Sequence, residues 1–246
     1  MKPFYSIAKR LARLGANPTL ARRHGASFVL DRRNWIDNRL LARAPFEDEQ
    51  IARAKALVAA EEVDTILDIG SNIGLYAVLL GRMPGVRKVH AFEPVARNFN
   101  QLCANIFVNR LDGIVLPHRL ALSDRSGTAE IQIDPRSTGV STLDAETAAR
   151  RKGAYRASET VRLAPLDELI TLEGARVFAK IDVEGHTLEV LAGMVRLLAR
   201  NEVFLQVELF DRDRAPIIAA LESAGYHLDV EISGDGFFRK RYDGVE

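Results

Sequence analysis

Acidic and histidine side chains stand beside short apolar runs at three places: Asp68 within Thr65-Ile66-Leu67-Asp68-Ile69-Gly70-Ser71-Asn72-Ile73-Gly74, Glu93 at the end of Lys88-Val89-His90-Ala91-Phe92-Glu93, and Asp182, Glu184 and His186 after Val177-Phe178-Ala179-Lys180-Ile181. In the first, Gly70 and Gly74 supply backbone freedom and room for a ligand. A helix starting near Gly74 would aim free amides at that ligand. The Gly-x-x-x-Gly spacing differs from the Gly-x-Gly-x-x-Gly of pyrophosphate-binding folds, and no Lys-Ser or Lys-Thr follows as a phosphate loop requires. A buried Asp68 carboxylate two residues before the turn repels a pyrophosphate but suits the amino group of an amino-acid-like cofactor. S-adenosylmethionine meets that description. Capping of backbone amides at a strand-to-helix corner explains Asp68 equally well. Glu93 lies about 20 residues after the turn, where an acid at a strand end accepts both hydroxyls of a ribose; its alternative is to stabilise the dipole of the helix that Pro94 opens.

The third group offers proton chemistry. His186 has an ordinary pKa near neutrality and follows two acids, which makes it the first candidate for a general base, with a solvent-facing position in a helix first turn as the alternative. Asp182 and Glu184 are candidate acceptor-site acids. Together with Glu208 they offer oxygen ligands of the kind Mg²⁺ takes, although no metal is assigned.

These residues need strands and helices to bring them together. Ile66, Leu67 and Ile69 predict a strand covered on both faces, Leu75–Leu80 a helix, Lys88–Glu93 a parallel neighbour, and Val95, Phe99, Leu102 and Ile106 one face of the next helix. A third strand is expected from Ile114 to Pro117, and a half-exposed strand from the alternation of Ala129-Glu130-Ile131-Gln132-Ile133. Residues 134–160 are polar and read as a mobile loop that serves as a lid or binding loop, or as a disordered connection. Asp182, Glu184 and His186 then fall between the carboxyl end of a buried strand and a helix carrying Leu188, Leu191, Val195 and Leu198, where open α/β sheets bind ligands. After Val203–Leu209 and a helix over Pro216–Ala224, Tyr226–Ile232 and Phe237–Arg241 read as a hairpin joined through Ser233-Gly234-Asp235-Gly236.

Ahead of the sheet, residues 1–58 are expected to form an N-terminal helical cap. It comprises an amphipathic helix over residues 4–14, an irregular stretch through Ser27-Phe28-Val29-Leu30, Trp35 as a packing anchor, and a helix opened by Glu47, Asp48 and Glu49. Residues 59–246 form the ligand-binding domain. Residues 1–43 hold ten Lys and Arg against Asp31 and Asp37, a net +8 on a chain of 246 residues whose total is +1. A solvated helical face explains this, and peripheral contact with an anionic membrane is the alternative. No segment approaches the roughly 20 apolar residues of a membrane span, and charge interrupts the N-terminus too early for a signal peptide, so the expected location is the cytoplasm. The single cysteine, Cys103, is read as a small core hydrophobe.

Four blocks in order, Asp68-Ile69-Gly70-Ser71-Asn72-Ile73-Gly74, Phe92-Glu93-Pro94, Ala121-Leu122-Ser123-Asp124 and Lys180-Ile181-Asp182-Val183-Glu184-Gly185-His186, resemble the FkbM family of S-adenosylmethionine-dependent methyltransferases over roughly residues 60–210. The resemblance implies an α/β class I methyltransferase fold, Rossmann-like, with helices on both faces of a seven-stranded, mostly parallel sheet and a C-terminal antiparallel hairpin. It also implies methyl transfer to a hydroxyl of a small molecule or glycan. Carried over by position, Gly70, Ser71, Asn72 and Gly74 line the methionine end with Asp68 beneath, Glu93 holds the ribose and Ala121 borders the adenine. Asp182-Val183-Glu184-Gly185 stands where amino-methyltransferases of nucleic acids carry Asn-Pro-Pro-Tyr or Asp-Pro-Pro-Tyr, which favours oxygen as acceptor and argues against nucleic acid. The competing readings are an N-methyltransferase acting on RNA or protein and a non-catalytic cofactor-binding scaffold.

Overall fold

The computed structural model of the protein describes residues 15–150 and 153–240. The helix expected over residues 4–14 lies outside them. The described chain opens on a hairpin, β1 (Thr19–Arg23) and β2 (Ala26–Leu30), paired from Thr19↔Leu30 to Arg23↔Ala26. Here the expectation of a purely helical cap with an irregular Ser27–Leu30 is corrected. Ala26, Phe28 and Leu30 are buried while Ser27 and Val29 are half-buried, the period of a strand. His24 and Gly25 both have positive φ, as a two-residue hairpin turn requires. His-Gly is a weak signal for that turn, which is why the pattern is hard to see in sequence. Two helices complete the segment, α1 (Trp35–Leu41) and α2 (Asp48–Ala60).

The main sheet begins with β3 (Thr65–Ile69), α3 (Leu75–Gly81), β4 (Lys88–Phe92), α4 (Ala96–Val108) and β5 (Val115–His118). The chain then leaves the sheet for β6 (Ala121–Leu122), β7 (Gly127–Ile133), a 3₁₀ turn at Thr138–Val140, α5 (Ala145–Arg150), β8 (Ala157–Ala164) and α6 (Leu166–Leu169). It returns as β9 (Arg176–Ile181), α7 (Thr187–Ala192), α8 (Val195–Arg200), β10 (Glu202–Glu208), α9 (Arg214–Ser223), β11 (Tyr226–Ile232) and β12 (Asp235–Lys240). The sheet has seven strands in the order β11-β12-β10-β9-β3-β4-β5. Only β12 runs antiparallel to its neighbours, inserted between β10 and β11. The expected mostly parallel sheet with its terminal hairpin is present, and the chain reverses direction across the sheet between β3 and β9, where such sheets open a crevice for ligands.

Period 2 assigns the strand residues to two cores. Ile66, Phe178, Phe204 and Phe237 pack with α2, α3, α4 and with Phe28 and Leu30 of the hairpin. Leu67, Ile69, Ala179 and Leu205 face α7, α8 and α9. The N-terminal hairpin therefore shares a core with the sheet, and each fully buried Phe or Leu there contributes about 1.5–3 kcal/mol.

Residues 134–160 are not one loop throughout, as the reading of a mobile loop or disordered connection expected. β8 pairs antiparallel with β7 and parallel with β6, making a separate three-stranded sheet, so the last residues of this stretch belong to a strand. The part between is anchored. Asn34 donates to the Thr138 hydroxyl at 2.6 Å, Asn98 to the Thr138 carbonyl at 3.2 Å, and the Thr142 hydroxyl to the Glu184 carbonyl at 2.6 Å.

Candidate active site

On β3, β9 and β10, Asp68, Lys180 and Gln206 stand side by side in register, all on the face beneath α3. A charged row inside a buried sheet has to be internally satisfied. Lys180 Nζ lies 2.7 Å from Asp182 Oδ2 and 4.8 Å from the centre of the Tyr76 ring. Gln206 donates to the Tyr76 hydroxyl at 3.0 Å and to Asp235 at 2.6 Å. Burial opposes the charge of Lys180, yet Asp182, Glu47 and Asp68 around it raise its pKa well above the ordinary value. The lysine is a fixed cation.

Above this row the strand ends open into a cleft with two lobes. The first is lined mainly by apolar side chains, among them Phe92, Val95, Ala121, Leu122 and Leu143, with Glu93 and His186 at its walls. The second has a volume of about 220 Å³ and is bounded by Trp35, Phe46, Glu47, Asp68, Tyr76, Lys180 and Glu208. Gly70, Asn72, Gly139, Asp182 and Glu184 line both. Ser137, Thr138, Gly139, Val140, Ser141 and Leu143 contribute to the walls of the two lobes.

The glycine turn holds its shape by spending its own amides. Gly70 and Ser71 donate to the Phe92 carbonyl at 3.0 and 2.9 Å, Asn72 donates to Glu93 Oε2 at 2.9 Å, and Gly74 donates to the Ser71 carbonyl at 2.7 Å. The free amides expected at a ligand belong to the first turn of α3 beyond this corner, where Ala77 already donates to Asp68 at 2.9 Å. Gly70 has φ +81°, and a methyl group there would overlap the Asp182 carbonyl oxygen, so the turn and the end of β9 meet at backbone distance. Gly74 caps α3 with φ 82°.

Asp68 is 1% exposed and accepts from the Ala77 amide at 2.9 Å, so the capping alternative is realised, while its side chain also borders the second lobe. Burial pushes its carboxyl up to about 6, against Lys180 and the Ala77 amide. Glu93, 4% exposed, accepts from Asn72 and from Val95 at 2.9 Å; burial raises it to about 7 against those two bonds. At the junction of the lobes, Asn72 Oδ1 is buried without a hydrogen-bond partner. An orphaned acceptor facing a cleft fits a ligand carrying hydroxyl or ammonium donors. Together with the apolar wall at Ala121 and Leu122, it fits the adenosine and amino-acid ends of S-adenosylmethionine.

All three candidate catalytic residues line the first lobe, but only two of them also reach the second. Asp182 and Glu184 reach both lobes, whereas His186 borders only the first, where its Nε2 lies 3.0 Å from Ser123 Oγ and its Nδ1 3.5 Å from Glu189. Burial lowers the His186 pKa, opposed by Glu189 and Asp124. Two residues that the sequence did not mark as site residues, Glu47 and Lys180, border the second lobe. Glu47 precedes α2 with φ 53°, and burial pushes its carboxyl up to about 7, with Lys180 opposing, Asp182 adding, and a hydrogen bond from Tyr76. Nothing in Pro45-Phe46-Glu47 announces that inward turn. Lys180 did leave a signal, as a lone charge inside an apolar strand. Trp35, read as a packing anchor, is 48% exposed and edge-on to Phe46 at 6.2 Å, with the Arg39 guanidinium 4.9 Å over its ring.

A profile of the methyltransferase FkbM domain matches residues 68–228, well over half of the chain. The chain is 36% identical over 157 residues to hexuronic acid methyltransferase AglP of Haloferax volcanii, covering 62% of this chain and 59% of that protein. It is 28% identical over 196 residues to 31-O-demethyl-FK506 methyltransferase FkbM of Streptomyces tacrolimicus, covering 68% and 74%. The crystal structure of methyltransferase FkbM from Methylobacillus flagellatus KT shares the fold, with a TM-score of 0.53 at 14% identity over 97% of this chain and 58% of that one. The matched part thus spans less than two thirds of AglP and of that solved chain.

Proposed function

This chain belongs to the FkbM family of methyltransferases, and on that premise we propose that it transfers a methyl group from S-adenosylmethionine to a hydroxyl of a small-molecule or glycan acceptor. The observation that carries this reading is the two-lobed cleft, in which an apolar lobe with one buried acid meets an acidic lobe at Gly70, Asn72 and Asp182. Relatives named for a hexuronic acid and for a demethylated natural product support an oxygen acceptor.

When bound, the cofactor supplies an electrophilic methyl on a sulfonium. The protein must align the acceptor oxygen with it and receive the hydroxyl proton as the carbon–oxygen bond forms. In this reading Ala121 and Leu122 border the adenine, Glu93 and Asn72 meet the ribose and its neighbourhood, and Asp68 lies beneath the amino-acid end. Asp182 and Glu184, at the junction, accept hydrogen bonds from the acceptor. Glu47 receives the proton, since a carboxyl held near 7 by burial is matched to the working pH. Trp35 offers an apolar wall for the ring of the acceptor. His186 remains on the cofactor side. A cytoplasmic location belongs to the same proposal, as does a cap role for the described residues 15–58, of which Trp35, Ile36, Phe46 and Glu47 line the second lobe.

Labelled S-adenosylmethionine offered with a panel of uronic acids, other glycans, hydroxylated small molecules, RNA and peptides tests the reading. Label in an alkali-stable ether of a glycan or small molecule is the expected result. Label in RNA or peptide, or in nothing while S-adenosylhomocysteine binds, would overturn it in favour of the N-methyltransferase or the scaffold.

A further inference from the structure

One feature of the second lobe is unexplained by methyl transfer alone. Asp182, Glu184 and Glu208 each present a carboxylate oxygen, and the three oxygens lie within 4.8 Å of one another. The neighbouring cation, Lys180, is bonded to Asp182 and shares its field with Asp68 and Glu47. Glu208 Oε2 is shut off from solvent and has no hydrogen-bond partner. A carboxylate oxygen closed off from water beside two further carboxylates is placed to meet a positive partner.

We propose that Asp182, Glu184 and Glu208 form a binding site for one hard divalent cation of the Mg²⁺ or Mn²⁺ class at the floor of the second lobe. Oxygen ligands sit at roughly 2.0–2.1 Å from Mg²⁺ and 2.3–2.6 Å from Ca²⁺, so two ligands of one ion stand at most about 4–5 Å apart, and the three oxygens here lie within 4.8 Å of one another. The donor set is oxygen only, which suits hard cations and not the sulfur- and imidazole-loving ones. Asp182 and Glu184 come from the end of β9 and Glu208 from the end of β10, adjacent parallel strands, so the sheet itself fixes their spacing. Three protein oxygens leave positions for water and for a hydroxyl of the acceptor. That last role rests on the function proposed above, whereas the cation site itself rests on the three side chains.

Mn²⁺ titrated into the EDTA-treated full chain, followed by the electron paramagnetic resonance of free Mn²⁺, tests the site, with S-adenosylhomocysteine affinity measured by calorimetry on the same samples. One saturable Mn²⁺ site is expected, displaced by Mg²⁺. Glu208→Gln, an isosteric change that relieves charge crowding and keeps the fold, should weaken it at least about tenfold, and Asp182→Asn should do likewise, with S-adenosylhomocysteine affinity of Glu208→Gln held within about twofold. No saturable Mn²⁺ binding at about millimolar concentration, or unchanged binding in Glu208→Gln, overturns the site and leaves Glu208 sharing a proton with Asp182. Saturable Mn²⁺ binding in a protein that ignores S-adenosylhomocysteine upholds the site and overturns the cofactor reading instead.

Discussion

The two lobes of the cleft share Gly70, Asn72, Gly139, Asp182 and Glu184 but treat charge in opposite ways. In the first, the fully buried acid Glu93 accepts two backbone amides, and apolar side chains make up much of the remaining wall. In the second, Glu47, Asp68, Asp182, Glu184 and Glu208 crowd around Lys180. An apolar lobe with its polar group already bonded suits a ligand whose shape never changes. A lobe of strained charges suits the step in which a proton moves. Pairs of titratable groups pushed from their ordinary values mark such places.

The largest effect that separates the lobes is expected from Glu47→Gln. Turnover should fall by about 10²–10⁴-fold, the range for loss of a general base, with S-adenosylhomocysteine affinity unchanged in calorimetry. A variant that keeps wild-type kcat removes Glu47 from the mechanism.

Gly70→Ala should damage both lobes together. The added methyl meets backbone at Asp182 in a left-handed conformation, and a cost of about 2–4 kcal/mol follows from strain and overpacking. Urea unfolding reads the stability, and calorimetry the cofactor affinity. Loss of one without the other would show that turn and strand end move independently.

The charge itself can be titrated. Glu93 rises from an ordinary value near 4.5 to about 7 because it is buried. The native state therefore holds its proton more tightly than the unfolded chain, and the stability this contributes is complete below about pH 4.5 and lost as pH rises through 7. Asp68 and Glu47 move the same way. The ligand-free protein should be less stable at pH 8 than at pH 5, and Glu93→Gln should shrink that difference by up to about 3 kcal/mol. Denaturation curves at the two pH values check it; a pH difference as large in the variant as in wild type assigns the effect to the second lobe alone.

Removing the acids outright gives a smaller change in binding. Asp68→Ala and Glu93→Ala should each weaken S-adenosylhomocysteine by about 1–3 kcal/mol on folded protein. Wild-type affinity in both would remove the amino-acid and ribose assignments.

The smallest effect is expected at the histidine. His186→Ala should leave kcat near that of wild type, since the ring lines the first lobe and not the acidic second one, with a modest loss of cofactor affinity through Ser123. A collapse of kcat at saturating cofactor would return His186 to the role of base.

Local chemistry made much of this protein legible in sequence. The apolar runs and glycine turn from Thr65 to Gly74, the acid at Glu93, and the acids after β9 announce strands, corners and a ligand site, because strand period, glycine freedom and a charge at a strand end act over a few residues. The four blocks even announce the family. Other features depend on partners far away in the chain. Glu47 becomes an inward acid only when the start of α2 meets Tyr76 and Lys180. β8 is a strand because β6 and β7 pair with it, although its own residues are half polar. Asp182 and His186 are four residues apart and both line the first lobe, yet only the aspartate also reaches the second. Burial and register are properties of the assembled sheet, and they decided which of the acids suggested by the sequence share a cavity.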